Sequence, residues 1–352
     1  MKEHIVITGA SGLVGRALLA RYLNQGHPAI ALCRKPPALP ANPLMSWYRA
    51  DVSLPRLGLE PATYAEVCAK ARLVFHLAAR TDFKDATAAS YLPVNLTGVK
   101  HVLALAQEAM APLHQVSTAF ICGDWPTEFQ EGDLALGQHF RNGYEESKFL
   151  GESFLHGIMA ASSSVPITIY RPGIVVERTP SAGSGKTFGP FLFLDAVARL
   201  REMAATEEAG LSALRVLGNR HAHLPLVFDD GVAKALVCLA AKPESASKVF
   251  QLVAPEPVGN ELLAEAFNEA FAQPAARFAG GEEFNGQPAN SLEALLAKKT
   301  TPYAAYLDLS VRFTRDNLDS LAGAEMLPTP TKAELTQAFR SFLAARSQRS
   351  AT

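Results

Sequence analysis

The run I-V-I-T-G-A-S-G-L-V-G most constrains what this chain can fold into. It places Gly9, Gly12 and Gly15 after an apolar strand, Ile5 to Thr8, and at the start of a helix from Leu13 to Leu23. In a doubly wound α/β sheet this strand-to-helix turn accepts the pyrophosphate of a dinucleotide. Gly9 permits the tight turn, Gly12 lets the backbone approach phosphate, and Gly15 lets the helix pack closely. The helix N-terminus offers unpaired N–H groups and the positive end of a dipole. The G-x-x-G-x-x-G spacing differs from the more familiar G-x-G-x-x-G. Glycines mark many strand-to-helix turns, so the motif needs its context.

The context is there. Ala29 to Cys33 reads as a second strand and Ser46 to Arg49 as a short third. Pro61 to Ala71 reads as a helix, Leu73 to Leu77 as an apolar fourth strand, and Tyr91 to Met110 as a long helix. Leu113 to Ser117 reads as strand five, Tyr144 to Ala160 as a helix and Ile167 to Tyr170 as strand six. This alternation predicts right-handed crossovers and a parallel sheet. After Arg171 the pattern changes. A Gly/Ser/Pro-rich loop covers Arg178 to Pro190, followed by a helix from Phe191. A strand at Leu224 to Phe228, a helix to Ala240 and a strand at Lys248 to Val253 come next, before a mostly helical remainder. The last helix, Lys332 to Arg346, stripes Leu335, Phe339, Phe342 and Leu343 along one face. We expect a nucleotide-binding domain over 1–177, with 220–253 returning to it. Residues 178–219 and 254–352 then form a smaller, mostly helical substrate-binding region.

The 352 residues carry a net charge of −1, so no basic excess points to nucleic acid or an anionic membrane. No apolar run is long enough to span a bilayer. Cys33, Cys68, Cys122 and Cys238 are scattered without metal spacing. A reduced, cytoplasmic setting is the simplest expectation. His221 and His223 lack an evident third ligand, and no metal is expected. Gly185-Lys186-Thr187 ends like a phosphate loop, but Pro180 stands where its first glycine belongs, so the segment reads as a mobile loop. His76 and His114 read as strand residues. Phe83, Phe188, Phe191 and Phe193 read as pocket lining or as core.

Two further constellations bear on chemistry. In N-G-Y-E-E-S-K-F-L-G-E, Tyr144 and Lys148 stand four apart and share a helical face. An ammonium beside a phenol lowers the phenol's pKa and supports proton transfer to an oxygen. Such pairs also occur on helices that carry no chemistry. In H-Q-V-S-T-A-F-I-C-G-D, Ser117 and Thr118 end strand five at the carboxyl edge of the sheet. A hydroxyl there can serve a substrate oxygen or cap local backbone.

Together these motifs resemble the extended short-chain dehydrogenase/reductase superfamily. The match spans Lys2 to Ala241 and includes Asp51-Val52, V-F-H-L-A-A, V-N-L-T-G-V and Y-R-P-G-I-V. V-S-T-A-F-I-C-G and the Tyr144 motif look most like the thioester-reductase and fatty-acyl-CoA-reductase (male-sterility) branch. The resemblance implies a Rossmann fold and an NAD(P)-dependent oxidoreductase that passes hydride to a carbonyl. It makes Tyr144 the proton donor and Lys148 the residue that holds the nicotinamide ribose and depresses the Tyr144 pKa. Thr118 would hydrogen-bond the reacting oxygen, and Asn95 would support the proton relay. Gly9, Ser11, Gly12, Leu13, Val14 and Gly15 would cradle the pyrophosphate. Asp51 and Val52 would meet the adenine. Leu77, Ala78 and Ala79 would line the cofactor, and Pro172, Gly173 and Ile174 its nicotinamide end.

Strand two ends Leu32-Cys33-Arg34-Lys35, with two cations and no carboxylate. That favours the 2′-phosphate of NADP(H) over the 2′-hydroxyl of NAD(H), with Arg34 as the fork-shaped partner and Lys35 beside it. The implied substrate is an acyl thioester or an aldehyde. An NAD-dependent sugar-nucleotide epimerase or dehydratase, or a hydroxysteroid-type dehydrogenase, is the alternative on the same scaffold. A non-catalytic NADP-sensing regulator is a third reading. Analogy suggests a homodimer through the Tyr91 to Met110 and Tyr144 to Ala160 helices.

Overall fold

A computed structural model describes residues 3–35, 39–83, 85–181, 189–204, 213–284 and 291–350. The chain opens with β1 (His4–Thr8), α1 (Leu13–Asn24), β2 (Ala29–Cys33) and β3 (Met45–Arg49). Next come α2 (Pro61–Lys70), β4 (Ala71–His76), α3 (Gly98–Glu108) and β5 (Leu113–Val116). The short β6 (Glu128–Phe129) precedes α4 (Gly143–Ala160), β7 (Ile167–Pro172) and β8 (Ile174–Val176). Then follow α5 (Pro190–Ala204), β9 (Leu214–Leu217), β10 (His223–Leu224) and β11 (Leu226–Phe228). After α6 (Asp229–Ala240) and β12 (Val249–Leu252) come β13 (Val258–Gly259), α7 (Asn260–Ala270) and β14 (Ala276–Ala279). The chain closes with α8 (Gly281–Phe284), α9 (Ser291–Thr300), β15 (Arg312–Phe313), α10 (Asp316–Ala322) and α11 (Lys332–Ser350).

Seven strands form one parallel sheet in the order β12-β7-β5-β4-β1-β2-β3. The order reverses between β1 and β4, the switch point at which doubly wound folds bind ligands. The inner strands are apolar and buried because helices cover both faces. On one face Val6, Ile30, Val74, Leu113 and Ile169 pack with Val99, Val102 and Leu103 of α3 and Leu155 of α4. On the other, Phe75 of β4 meets Tyr22 of α1.

The chain divides into two compact units. The first comprises Met1–Gly173, Asp229–Val253 and Arg312–Leu327, and the second Ile174–Phe228, Ala254–Val311 and Pro328–Thr352. The division thus falls at Gly173, not after 177. The stretch from 220 to 228, expected in the first domain, lies in the second, where β11 pairs with β8. Residues 312–327, expected outside the first domain, return to it. There Arg315, itself buried, donates to the carbonyls of Val253, Leu327 and Ala324, and Asn317 donates to Val249 O.

The helix expected over Tyr91 to Met110 begins differently. A 3-10 turn at Ala88–Ser90 and a π turn at Pro93–Thr97, with Pro93 in its first turn, precede α3. Within the second unit, β9 pairs with β14 and β10 with β13. Its core stacks Phe191 of α5 on Phe342 of α11, with Phe339 edge-on. Phe191 is therefore core rather than pocket lining. Phe188 and Gly185-Lys186-Thr187 lie outside the described residues, as does Lys2. Among the described residues, no helix is long and apolar enough to cross a membrane, and no group of three His, Cys, Asp or Glu is placed to hold a metal ion.

Candidate active site

The turn after β1 is shaped by backbone contact. Gly9 adopts φ +70°, and a Cβ there would lie 2.6 Å from the Ala78 nitrogen. Only glycine permits that approach. A Cβ on Gly15 would fall 2.3 Å from Gly9 O, so the third glycine lets the helix fold back on the turn itself. Gly12 caps α1 without a capping side chain, and the first turn of α1, which carries Leu13 and Val14, has no acidic residue. This uncapped, carboxylate-free N-terminus fits a diphosphate.

The other residues expected at a dinucleotide line the same sheet edge. Leu77, Ala78 and Ala79 leave β4 half-buried, with Leu77 N–H donating to Thr8 O (3.2 Å). At the end of β2 Trp47 Nε1 donates to Cys33 Sγ (3.1 Å), and Ser11 lies close enough to Cys33 to offset part of the rise that burial gives its thiol. Arg34 and Lys35 are exposed just beyond. Asp51 closes a tight turn by accepting from Ser53 N–H and Oγ–H. Those bonds hold its carboxyl below the usual range against burial, and Arg34 adds to the effect. Val52 is buried against Gly98, and its carbonyl contacts His101 Nδ1 (2.9 Å), so its side chain belongs to the core. Pro172 ends β7, Gly173 N–H donates to Leu252 O (3.2 Å), and Ile174 opens the second unit.

Thr118, Tyr144 and Lys148 meet in the first unit. Thr118 is buried in extended backbone, its hydroxyl accepts from Phe120 N–H (3.3 Å), and it lies close enough to the Tyr144 phenol to pull its pKa down. Among the described residues, the neighbouring Ser117 hydroxyl is buried without a hydrogen-bond partner. Lys148 lies one helical turn after Tyr144 and donates from Nζ to Val116 O (2.8 Å). Burial pushes the half-buried Tyr144 phenol up to about 12, against the downward pull of Thr118. The lowering expected from Lys148 does not prevail here: burial pulls the ammonium itself down to about 8, opposed by Glu152.

Asn95 sits in the π turn with its amide committed. Its Oδ1 accepts from Arg80 N–H (2.8 Å), and its Nδ2 donates to Arg80 O (3.0 Å) and Ser147 Oγ (2.8 Å). It is a positioning residue that joins α4 to the segment after β4. His76 is fully buried against Thr8 Oγ1 (2.7 Å), and burial beside Lys148 lowers it to about 3, keeping it neutral. His114 is likewise buried, against the Tyr170 hydroxyl (2.9 Å).

Sequence reasoning missed the pair beneath this site. Glu152 and Arg171 are both fully buried and joined at 2.7 Å. Arg171 also donates to the carbonyls of Gln130, Glu131 and Asp133. Burial raises the Glu152 carboxyl most, but Arg171, His156 and Ser117 together outweigh it and hold it at about 2. The available signal was Glu152 four residues after Lys148, on the Tyr144 face.

Residues 37–216 match the male sterility protein family. The chain belongs to the male sterility protein family. That family is an NAD-binding one, and the chain shares its fold with a short-chain dehydrogenase/reductase superfamily structure with bound NAD. This male sterility family chain is 30% identical over 176 residues to the hybrid PKS-NRPS synthetase pvhA of Talaromyces variabilis, covering 49% of this chain and 4% of that protein. It is 33% identical over 180 residues to the hybrid PKS-NRPS synthetase mpsA of Macrophomina phaseolina, covering 48% and 4%. It therefore corresponds to a small part of those synthetases. Among solved structures, the terminal R domain of the myxalamid PKS-NRPS pathway shares its fold with TM-score 0.76 and 20% identity, covering 99% of this chain and 91% of that one. The epimerase Mth375 of Methanothermobacter thermautotrophicus shares it with TM-score 0.72 and 17% identity, covering 99% and 95%.

Proposed function

We propose that this chain reduces a carbonyl with NADPH, taking an acyl thioester or the derived aldehyde as substrate. The observation that carries the reading is the placing of Lys148 one helical turn from Tyr144, with its Nζ bonded to Val116 O, two residues before the buried Thr118. NADPH, when bound, supplies the hydride. Tyr144 holds the proton that the substrate oxygen needs; a phenol near 12 is fully protonated at neutral pH and poised to donate. Thr118 steadies the phenol and offers a second hydroxyl to the developing alkoxide. Lys148, near 8, is largely cationic at pH 7 and supports negative charge on the oxygen. The names of the PKS-NRPS relatives favour a thioester-borne substrate. Selection of that substrate is assigned to 178–219 and 254–352.

The preference for NADP(H) rests on Arg34 and Lys35 after a strand that ends in Cys33, not in a carboxylate. One experiment covers both parts. Calorimetry with NADPH and NADH, on the parent and Arg34→Ala, is paired with NADPH oxidation on acyl-CoA and aldehydes by the parent and Tyr144→Phe. We expect tighter NADPH binding that is lost with Arg34, and a fall in turnover of about 10²–10⁴-fold in Tyr144→Phe. Equal binding of both nucleotides would overturn the cofactor preference, and an active Tyr144→Phe would overturn the acid.

A further inference from the structure

Most of the sheet face beneath α3 and α4 is apolar, but its carboxyl edge is not. Two residues beyond Val6, Val74 and Leu113, on the same face, β1, β4 and β5 set Thr8, His76 and Gln115 side by side. All three are buried. Thr8 Oγ1 lies 2.7 Å from His76 Nδ1 and accepts from Ala78 N–H (3.4 Å). Among the described residues that hydroxyl has no other partner, so its own hydrogen goes to Nδ1. The neutral imidazole then carries its proton on Nε2.

That Nε2–H is buried without a hydrogen-bond partner among the described residues, and so is Gln115 Oε1. One is a donor and the other an acceptor, on neighbouring strands about 4.8 Å apart. The Gln115 amide is fixed through its nitrogen, where Nε2 donates to Val116 O (2.9 Å). Lys148 Nζ donates to the same carbonyl (2.8 Å), so the ammonium and the amide stand no further apart than two hydrogen bonds laid end to end. The ammonium has further N–H groups to give, and its charge is felt at His76. Donor, acceptor and cation therefore converge on one spot. A water there accepts from His76 and Lys148 and donates to Gln115, and about three partners are usual for a buried water. Every member is removed from solvent, so the site holds a charge in place and offers no proton an exit.

We propose that His76, Gln115 and Lys148 enclose a site for one buried water, through which His76 acts as a positioning residue that keeps the Lys148 ammonium charged. The use of that charge in carbonyl reduction rests on the reading of Lys148 given above; the site itself does not. Glu152 also favours the ammonium from one turn along α4, Arg171 of β7 is paired with Glu152, and the Tyr144 phenol stays neutral. Without the water the ammonium loses an acceptor in a buried setting, and the neutral amine gains.

The test needs neither substrate nor cofactor. Unfolding free energies from about pH 6 to pH 11 are measured in denaturant for the parent, His76→Phe and His76→Gln, each with and without Lys148→Met. The difference that Lys148→Met makes is flat below the folded pKa of Lys148 and changes above it. In the parent that bend should fall at about 8. His76→Phe, which keeps the bulk of the ring without its N–H, should move the bend about one unit lower, the worth of one lost bond to a charged group. His76→Gln, which keeps an N–H at the same depth, should hold it within about half a unit of the parent. A bend unmoved in His76→Phe, or moved upward, overturns the proposal while leaving the reading of Lys148 in place. A crystal structure of the parent decides the site even if His76→Phe does not fold. It should show an ordered water within about 3.2 Å of His76 Nε2, Gln115 Oε1 and Lys148 Nζ, and a structure without that water overturns the proposal. Turnover retained in Lys148→Met would overturn instead the catalytic use of the charge.

Discussion

Lys148 is a cation almost wholly removed from water, and its burial has a cost that a catalytic role would justify. Its pKa falls from an ordinary 10.5 to about 8. Between those values the unfolded chain binds more protons than the folded one, so stability rises with pH across that window. Below pH 8 the cost is fully present. Lys148→Met should therefore be inactive yet more stable than the parent at pH 7, by about 1–3 kcal/mol, allowing for the lost bond to Val116. The difference should shrink as pH rises from 8 to 10.5. Denaturant titrations at pH 7 and pH 10 check this; a variant less stable at both would show that Lys148 is held chiefly for structure. Val116 O keeps a second donor in Gln115 Nε2 (2.9 Å), which limits the damage.

At the scale of elements, Glu152 and Arg171 bind α4 to β7 and to the carbonyls of the 130–133 segment. Removing one partner of a buried pair strands the other. Glu152→Gln should cost about 3–5 kcal/mol in denaturant unfolding at pH 7. The folded carboxyl sits at about 2 against an ordinary 4.5, so its contribution is whole above pH 4.5 and drains away as pH falls toward 2. The variant should lack that part of the acid limb in melts between those values; retention of it would assign the limb to other carboxylates. The sheet itself was legible in the sequence. Runs such as Ile5–Ile7 and Ala29–Leu32 are apolar throughout, and glycines mark the first turn. Thr118, Tyr144 and Lys148 were legible as types at known spacings, and the structure brings them together. Other features were not legible because their causes are remote. Arg171 finds Glu152 19 residues away on another element. The short β9 and β14 pair across more than fifty intervening residues, and neither has a long apolar run to announce it. Pro93 was visible, but not the π turn that it opens.

At the scale of the whole molecule, each unit is assembled from three separate stretches of chain. The last stretch of the first unit is short but is tied into its outermost strand. Arg315 reaches Val253 O (2.7 Å), Asn317 Nδ2 reaches Val249 O (3.0 Å), and Glu131 accepts from the backbone N–H of both Gln251 and Asn317. Arg315→Ala would leave buried carbonyls unpaired, and should lower stability by about 2–4 kcal/mol. Hydrogen exchange should register the loss first at β12; uniform loss across the sheet would mean that this edge is not separately secured. The interleaving also has a consequence for refolding. Arg315 and Asn317 stand about three hundred residues from the glycine turn along the chain, and contacts between such distant segments are slow to form. The margin at β12 is therefore expected to be sealed last, after the motifs of the nucleotide site have already found their places.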